Sequence, residues 1–461
     1  MSKLLFNEFS EVTSKQWKQK IQVDLKGADY NETLITHTLE GIDIKPFYHS
    51  KDIKEVPGFS ENKSWRVTHR IKVVNEADAN AKALELIENG VEAIDFVIPS
   101  EKTDLSGLLE NIDTKKVALY FRPNFISVDF INKLNSFSNS SACEIFHSQD
   151  IINNLAKTGN WFDNLENDHD NFLNIVKAAS VNIGILSADA TLYQNAGANM
   201  VQQLAYTLAH ANEYLNFLSN HKLLESLKVP FHFKVAIGND YFMEIAKLRA
   251  LKLLYATLAE EYGLNADCYI LAEPSKRNKT IYDYNVNMLR TTTESMSAIL
   301  GGANAICNLP YDALYKKPNA FGDRISKNQL LILKHESYFD IVSNPVVGTY
   351  YIESLTTQLA EKALSLFKQI EKGGGFINQL KEHNIQRKIK ENAAAEQELF
   401  TNGKRILVGT NKYENTRDRM KGSLEISPFP EKNMRKTIIE PILEKRLAEH
   451  LEKQRLESET I

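Results

Sequence analysis

The sequence of 461 residues lacks the features that mark several large classes of protein. No apolar run approaches the roughly 20 residues that a membrane-spanning helix needs. The opening, MSKLLFNEFSEVTSK, holds only a short apolar run before Glu8 and Glu11, so the sequence predicts neither a signal peptide nor a membrane anchor. We therefore expect a cytoplasmic protein.

Cysteine is scarce, and neither sign of charge dominates. The cysteines are Cys143, Cys268 and Cys307; each lies in or beside an apolar segment, and none has CxxC spacing. An odd number of thiols cannot all pair, so we expect buried, reduced cysteines rather than a redox or metal site. The 55 basic and 59 acidic residues give a formal net charge of −4, which predicts no surface for nucleic acid.

The common motifs of enzyme sites are also missing. The 11 histidines form neither HxH nor HExxH, and no GxSxG elbow or GxxxxGK[ST] loop is present. Consecutive residues rarely point at one ion, so the Asp168-His169-Asp170 segment is interpreted as a solvated helix cap. Glycines 373–375 follow a helical pattern, and helix C-termini disfavour anions, so they are interpreted as a helix stop rather than a phosphate cradle. The sequence thus offers no catalytic, cofactor-binding or metal residue.

What the sequence does contain, from Trp65 onward, is an alternation of strand and helix patterns. The predicted strands are 65–74, 92–98, 116–121, 142–147, 181–186, 230–237, 268–272 and 303–308. The helical patterns between them include one capped by Asn75 and stopped by Gly90, and a long one over 197–219. Eight strands in about 270 residues predict an α/β fold, a (β/α)₈ barrel. A doubly wound open sheet is the alternative, which the absence of GxGxxG after the first strand disfavours.

Composition and pattern shifts divide the chain into four parts. They are an N-terminal arm (1–64), the barrel (65–340), post-barrel helices and a linker (341–425), and a charged helical tail (426–461). Leu443, Leu447 and Leu451 are spaced by four in the tail, which indicates one apolar helix face. We expect that face to dock either on this chain's own body or on a partner.

Polar residues alternate with apolar ones in several predicted strands. Apolar side chains should face the helices, so Arg70, Asp95 and Lys234 should face the barrel axis. Most small barrels fill the axis with Val, Ile and Leu. Three interpretations stay open: the axis admits a polar ligand, these side chains plug it, or the first strand points its Arg and Lys at water.

Four segments, in order between 193 and 375, resemble the adenosylcobalamin-dependent acyl-CoA mutases, with methylmalonyl-CoA mutase as the nearest family member. They are YQNAGANMVQQLAYTLAHANEYL, GNDYFMEIAKLRALKLLYA, LRTTTESMSAILGGANAI and NPVVGTYYIESLTTQLAEKALSLFKQIEKGGG. The segments WKQKIQVDLKG and EGIDIKPFY resemble the arm of that family, and NGKRILVGTNKYEN its linker. The resemblance implies a barrel with an N-terminal arm and a C-terminal helical extension.

The resemblance also implies a site that this sequence lacks. Catalytic members thread the acyl-CoA along the axis, and a separate cobalamin domain ligates cobalt through Asp-x-His-x-x-Gly, which is absent here. Two family histidines fall at Leu192 and Leu271, and a glutamine falls at Glu273. The family's Arg-Gln-Tyr-Ala-Gly-Phe segment has no counterpart near 50–65. A leucine cannot donate a hydrogen bond to a thioester carbonyl.

Some bacterial mutases pair a catalytic large chain with a related small chain that lacks a working site, and this sequence resembles the small chain. The resemblance implies that this chain binds no cofactor and no metal, that adenosylcobalamin lies on a larger homologous partner in a heterodimer, and that acyl-CoA binding here is in doubt. It also implies methylmalonyl-CoA as the substrate of the complex, hence propionate metabolism. Two alternatives stay open: a barrel that works with a cobalamin domain on a separate chain, and an acyl-CoA-binding module without turnover.

Overall fold

The computed structural model describes residues 8–53, 64–138, 144–430 and 435–459. The strands are β1 (Thr36–His37), β2 (Asp43–Ile44), β3 (Arg66–Lys72), β4 (Ala93–Ile98), β5 (Ala118–Pro123), β6 (Ile145–His147), β7 (Ile183–Gly184), β8 (Ser187–Asp189), β9 (Phe231–Ile237), β10 (Cys268–Pro274) and β11 (Ala305–Cys307). The short pair β1–β2 is antiparallel and lies in the N-terminal arm.

The helices surround these strands and extend beyond them. They are α1 (Ser14–Asp24), α2 (Tyr30–Leu34), α3 (Glu76–Glu88), α4 (Leu105–Leu108), α5 (Val128–Asn135), α6 (Ile151–Thr158), α7 (Leu165–Ala178), α8 (Thr191–Ala196), α9 (Met200–Asn220), α10 (Tyr241–Glu261), α11 (Val286–Leu300), α12 (Ala320–His335), α13 (Tyr350–Lys372), α14 (Phe376–Lys381), α15 (Asn384–Thr401) and α16 (Glu449–Ser458). Within the described ranges, no helix combines the length and the apolar character that crossing a membrane requires.

The larger sheet is a barrel of parallel strands. Its order is β7-β6-β5-β4-β3-β11-β10-β9-β8, and every neighbouring pair is parallel. Only Ile185 and Leu186 separate β7 from β8, so the two ends of this order are pieces of one broken strand. Barrel strands 1 to 4 are therefore β3 to β6, barrel strand 5 is β7 with β8, and barrel strands 6 to 8 are β9 to β11. The predicted (β/α)₈ barrel is confirmed, and the open-sheet alternative is wrong.

Alternation along the strands separates two cores. Side chains that face the helices, such as Val67 and Phe96, join the large apolar core between barrel and helices. Side chains of the other parity face the axis, and their buried apolar members form a second cluster of Ala93, Ala118, Tyr120, Phe146, Leu271, Ala305 and Cys307. Cys268 and Cys307 are free and buried, and Cys143 lies outside the described residues.

The helix expected over 197–219 begins later and is preceded by a separate short helix. Gly197 ends α8 in the left-handed region, with φ of 102°. A Cβ at this position would lie 2.6 Å from the Cβ of Ala393, so the close approach requires glycine. Asn199 then caps α9 in a capping box with Gln202. Local periodicity could not show this break, because an apolar pattern runs through both helices.

The tail is helical over a shorter stretch than its leucine spacing predicts. Among the described residues of the tail, Glu449–Ser458 is the one helix, and Leu443 and Leu451 are exposed while Leu447 is buried. The segment 441–446 before α16 has no regular secondary structure, and the chain next to it bonds to a barrel loop: the Leu447 amide donates to the Arg277 carbonyl at 2.9 Å. The described part of the tail therefore docks on this chain's own body.

Glycines 373–375 end α13, in agreement with their interpretation as a helix stop. The next helix, α14, begins directly after them, and the amide of Ile377 in its first turn donates to Glu213 Oε1 at 2.9 Å. A carboxylate of the chain itself thus occupies the position that a phosphate would take at a helix N-terminus.

Candidate functional site at the barrel axis

Aromatic side chains fill the middle of the barrel axis. The Tyr120 hydroxyl, from barrel strand 3, donates to the Tyr269 hydroxyl, from barrel strand 7, at 2.7 Å. The Tyr120 ring stacks on Phe146 with a centroid distance of 5.1 Å, and the His232 imidazole lies 5.4 Å from the same ring. These four side chains, which we call the aromatic plug, come from four different strands. Together they span the axis and close it as a passage.

A buried carboxylate lies nearer the carboxyl ends of the strands. Asp95 of barrel strand 2 is 0% exposed and accepts hydrogen bonds from two arginines of the neighbouring strands. Arg70 Nε donates at 3.1 Å, and Arg122 donates through Nε at 2.7 Å and also through Nη2. Such bidentate pairing is the geometry in which arginine binds a carboxylate most strongly.

Three further side chains complete the charged layer. Glu273 accepts a hydrogen bond from Arg70 Nη2 and lies 3.3 Å from Lys234 Nζ. Lys234 Nζ also donates to Asp189 Oδ2 at 3.0 Å. We call the whole set the ion network: Arg70, Asp95, Arg122, Asp189, Lys234 and Glu273. Its three cations and three acids cancel in formal charge.

The structure supports the plug among the three interpretations of the polar strand faces. Arg70 and Lys234 have side-chain exposures of 31% and 9% and belong to the ion network. The interpretation that the first strand points its Arg and Lys at water holds for the exposed Lys72 but not for Arg70. Lys234 pairs with Asp189 and Glu273 rather than with Asp95. Sequence reasoning missed Arg122 and Asp189 because the predicted strands ended at 121 and 186. Continuing the alternation past 121 would have included Arg122. Asp189 lies beyond the break at Ile185 and Leu186, which both belong to the core between barrel and helices, so alternation along 181–186 does not place it on the axis.

Burial and neighbouring charges shift the pKa values of the ion network. Burial, reinforced by Arg122, lowers the pKa of Lys234 to about 8. Burial and Arg70 lower the pKa of Arg122 to about 10. Burial alone would raise the pKa of the Glu273 carboxyl, but Arg70, Lys234 and Arg122 together hold it well below its usual range. Burial lowers the pKa of His232 to about 3, so this imidazole is neutral at physiological pH.

The positions singled out by the family resemblance lie in two places. Leu192 is the second residue of α8, is 2% exposed, and packs in the core between barrel and helices. Leu271 lies in the axial cluster, and Glu273 lies in the ion network. The structure thus brings only the last two to the axis. Most of the stretch 50–65 lies outside the described residues.

A buried hydrogen-bond chain holds α8 against the barrel. The hydroxyl of Tyr193 bonds with His210 Nδ1 at 2.9 Å, and His210 Nε2 bonds with Asp150 Oδ1 at 2.9 Å. The Tyr214 hydroxyl donates to the same oxygen at 2.8 Å. The order hydroxyl, imidazole, carboxylate is that of a catalytic triad, but Tyr193 and His210 are 0% exposed. The chain therefore fixes α8 in place and offers no nucleophile to a substrate.

The side chains of Asp168 and His169 bond to backbone groups at, or just before, the start of their own helix, α7. Asp168 is buried and accepts from the Phe162 and Asp163 amides at 2.8 and 3.1 Å, while His169 Nδ1 bonds with the Leu165 carbonyl at 2.7 Å. Asp168 is thus a buried acceptor rather than the solvated residue that was expected. Across the described ranges, no group of three or more His, Cys, Asp or Glu side chains could hold a metal ion.

An eight-stranded parallel barrel surrounded by helices, with a closed axis, defines the chain as a (β/α)₈ barrel protein. The methylmalonyl-CoA mutase family model matches residues 77–458. The chain belongs to the methylmalonyl-CoA mutase family.

Individual relatives divide into two groups by extent of similarity. The chain is 31% identical to the methylmalonyl-CoA mutase small subunit of Porphyromonas gingivalis, over 89% of this chain and 71% of that protein. It is 26% identical to the small subunit of Propionibacterium freudenreichii subsp. shermanii, over 94% of this chain and 73% of that protein. The methylmalonyl-CoA mutase of Escherichia coli is 35% identical, but over only 48% of this chain and 31% of that protein. Similarity to small subunits thus extends over much more of the chain.

Proposed function

We propose that this chain is the small subunit of a heterodimeric methylmalonyl-CoA mutase, in which a larger homologous chain interconverts methylmalonyl-CoA and succinyl-CoA. In this proposal the small subunit stabilises the large one in the cytoplasm and does not catalyse the reaction. The extended similarity to proteins named small subunit supports the pairing. The closed barrel axis is the observation that carries the non-catalytic role.

A CoA ester on this axis would have to displace the aromatic plug. Truncation of a buried aromatic side chain in a packed core typically costs about 3–5 kcal/mol, which indicates how firmly such rings are held. The hydroxyl pair between Tyr120 and Tyr269 would be lost as well. Both alternatives, the barrel that borrows a cobalamin domain and the acyl-CoA-binding module, need acyl-CoA on the axis. The plug therefore disfavours both.

The imidazoles of His147, His210 and His232 do not fit a ligand to cobalt. Such a ligand needs one exposed ring nitrogen while the other is held by a second group. His147 and His232, from barrel strands 4 and 6, are 0% and 2% exposed, and His210 of α9 uses both nitrogens in the buried chain to Tyr193 and Asp150. In the proposal, adenosylcobalamin is held by the larger chain.

Co-expression with a larger mutase chain from the same organism tests the proposal. A tag on the present chain should recover an equimolar complex that interconverts methylmalonyl-CoA and succinyl-CoA when adenosylcobalamin is supplied. The present chain alone should show no turnover with the same cofactor. Turnover by the chain alone, or with an isolated cobalamin domain, would contradict the proposal in favour of the active barrel.

A binding measurement distinguishes the proposal from the remaining alternative, the acyl-CoA-binding module without turnover. Equilibrium dialysis of the present chain with labelled methylmalonyl-CoA should show no retained ligand. Stoichiometric retention without turnover would instead establish the acyl-CoA-binding module. As a matched control, the large chain in the same assay should retain the ligand.

A further inference from the structure

A cleft of about 490 Å³ opens beyond the ion network, at the carboxyl ends of barrel strands 1 to 6. Its lining includes Arg70, Arg122, Gln149, Ser187 and His232. Because the aromatic plug closes the axis beneath it, a ligand would enter from the carboxyl-terminal face. A volume of this size lies within the range of small-molecule sites.

Four polar atoms of residues on this lining are buried without a hydrogen-bond partner: Gln149 Oε1, Asn153 Oδ1, Ser187 Oγ and His232 Nε2. Gln149, Ser187 and His232 are 1%, 6% and 2% exposed, and Asn153 is half-buried. Leaving a buried donor or acceptor unpaired costs about 1–3 kcal/mol, so native proteins rarely do so without a reason. Their common position around one cleft indicates that a bound polar molecule supplies their missing hydrogen-bond partners.

The two arginines each keep one free edge. Arg70 and Arg122 use Nε and Nη2 on Asp95 and Glu273, and no described residue accepts a hydrogen bond from either Nη1. Both guanidiniums are partly exposed in the cleft, at 31% and 18% of the side chain. Free guanidinium edges match the geometry of a carboxylate. Lys234, in contrast, is already paired with two acids.

Charge limits the ligand to a single negative group. The ion network is formally neutral, and the other lysine of the lining, Lys157, is exposed, so solvent screens its charge and a second carboxylate on the ligand would gain little there. The remaining contacts, with Gln149, Ser187 and the neutral His232, suit a hydroxyl or carbonyl group. We propose that this cleft binds a small hydroxy- or oxo-monocarboxylic acid, with its carboxylate between Arg70 and Arg122. This site is independent of the proposed subunit role, so either can fail without the other.

Calorimetric titration of the full chain with lactate tests the site, with succinate and inorganic phosphate as comparison probes. Lactate should bind at one site per chain and more tightly than the other two. Ser187→Ala should weaken lactate binding roughly fivefold to tenfold, the loss of one hydrogen bond. Ser219→Ala, on the exposed end of α9, is the matched control and should change nothing.

Arg122→Lys keeps the charge but removes the free guanidinium edge, and should abolish measurable binding. Circular dichroism establishes whether that variant folds; if it does not, Ser187→Ala decides alone. No lactate binding by the folded chain would overturn the inference. So would binding that Ser187→Ala leaves unchanged, or succinate or phosphate binding as tightly as lactate.

Discussion

Asp95→Asn removes the one carboxylate that both arginines of the ion network share. The amide keeps the shape of the side chain but not its charge. Arg70 would retain Glu273, whereas Arg122 would lose its only acidic partner among the described residues. Removing one member of a buried ion pair typically costs about 3–5 kcal/mol, because the other charge is left uncompensated. Arg122 is 18% exposed, so water screens its uncompensated charge only in part, and we expect a loss near the lower end of this range.

Urea unfolding followed by circular dichroism measures the effect as a change in the free energy of unfolding. Asp170→Asn, on the exposed side of α7, is the matched control and should change that free energy by less than about 0.5 kcal/mol. The double variant Asp95→Asn/Arg122→Met should recover part of the loss, since it removes the stranded cation. A loss no larger than that of the control, or no recovery in the double variant, would refute the assigned role of the pair.

Two further predictions concern other parts of the chain. Burial and Glu213 raise the pKa of Glu371 from 4.5 to about 7. The folded state therefore holds this proton more tightly than the unfolded state does, and the resulting stability is lost as pH rises from about 4.5 through about 7. Glu371→Gln should flatten the pH dependence of the thermal midpoint over this interval; an unchanged slope would contradict the shift. In the tail, Arg446→Met leaves the buried carboxylate of Glu452 without its cation and should lower the free energy of unfolding in urea by about 3–5 kcal/mol. The control Lys436→Met, at an exposed position, should change that free energy little. Equal effects of the two variants would contradict a structural role for the Arg446–Glu452 pair.

The barrel could be predicted because its signals are local. Each strand is a short apolar or alternating segment, and each helix between them carries its own start or stop, such as Asn75, whose side chain accepts from the Asp78 amide. Breaks that depend on distant packing could not be predicted. The helix break at Gly197 accommodates the close approach of Ala393, which lies nearly two hundred residues away in the chain. The part of the tail before α16 is irregular rather than helical, and barrel loops supply hydrogen-bond partners to its backbone.

The arrangement of charged side chains on the barrel axis could be predicted in part. Alternation places Arg70 and Asp95 on the inner face, and they are direct neighbours in the register of barrel strands 1 and 2. The pairing of Arg70 with Glu273 crosses from barrel strand 1 to barrel strand 7, which are not adjacent, so strand order does not reveal it. Whether Lys234 pairs with Asp95 or with Asp189 likewise depends on how the strands close into a barrel, which strand order alone does not reveal.

The ion network is divided unequally between the two halves of the barrel. The first four barrel strands contribute Arg70, Asp95 and Arg122, which leaves one positive charge in excess. The last four contribute Asp189, Lys234 and Glu273, which leaves one negative charge in excess. During folding, two half-barrels with such inner faces would attract each other, whereas two copies of the same half would repel. Electrostatics thus favours a barrel built from two unlike halves over one built from two copies of the same half.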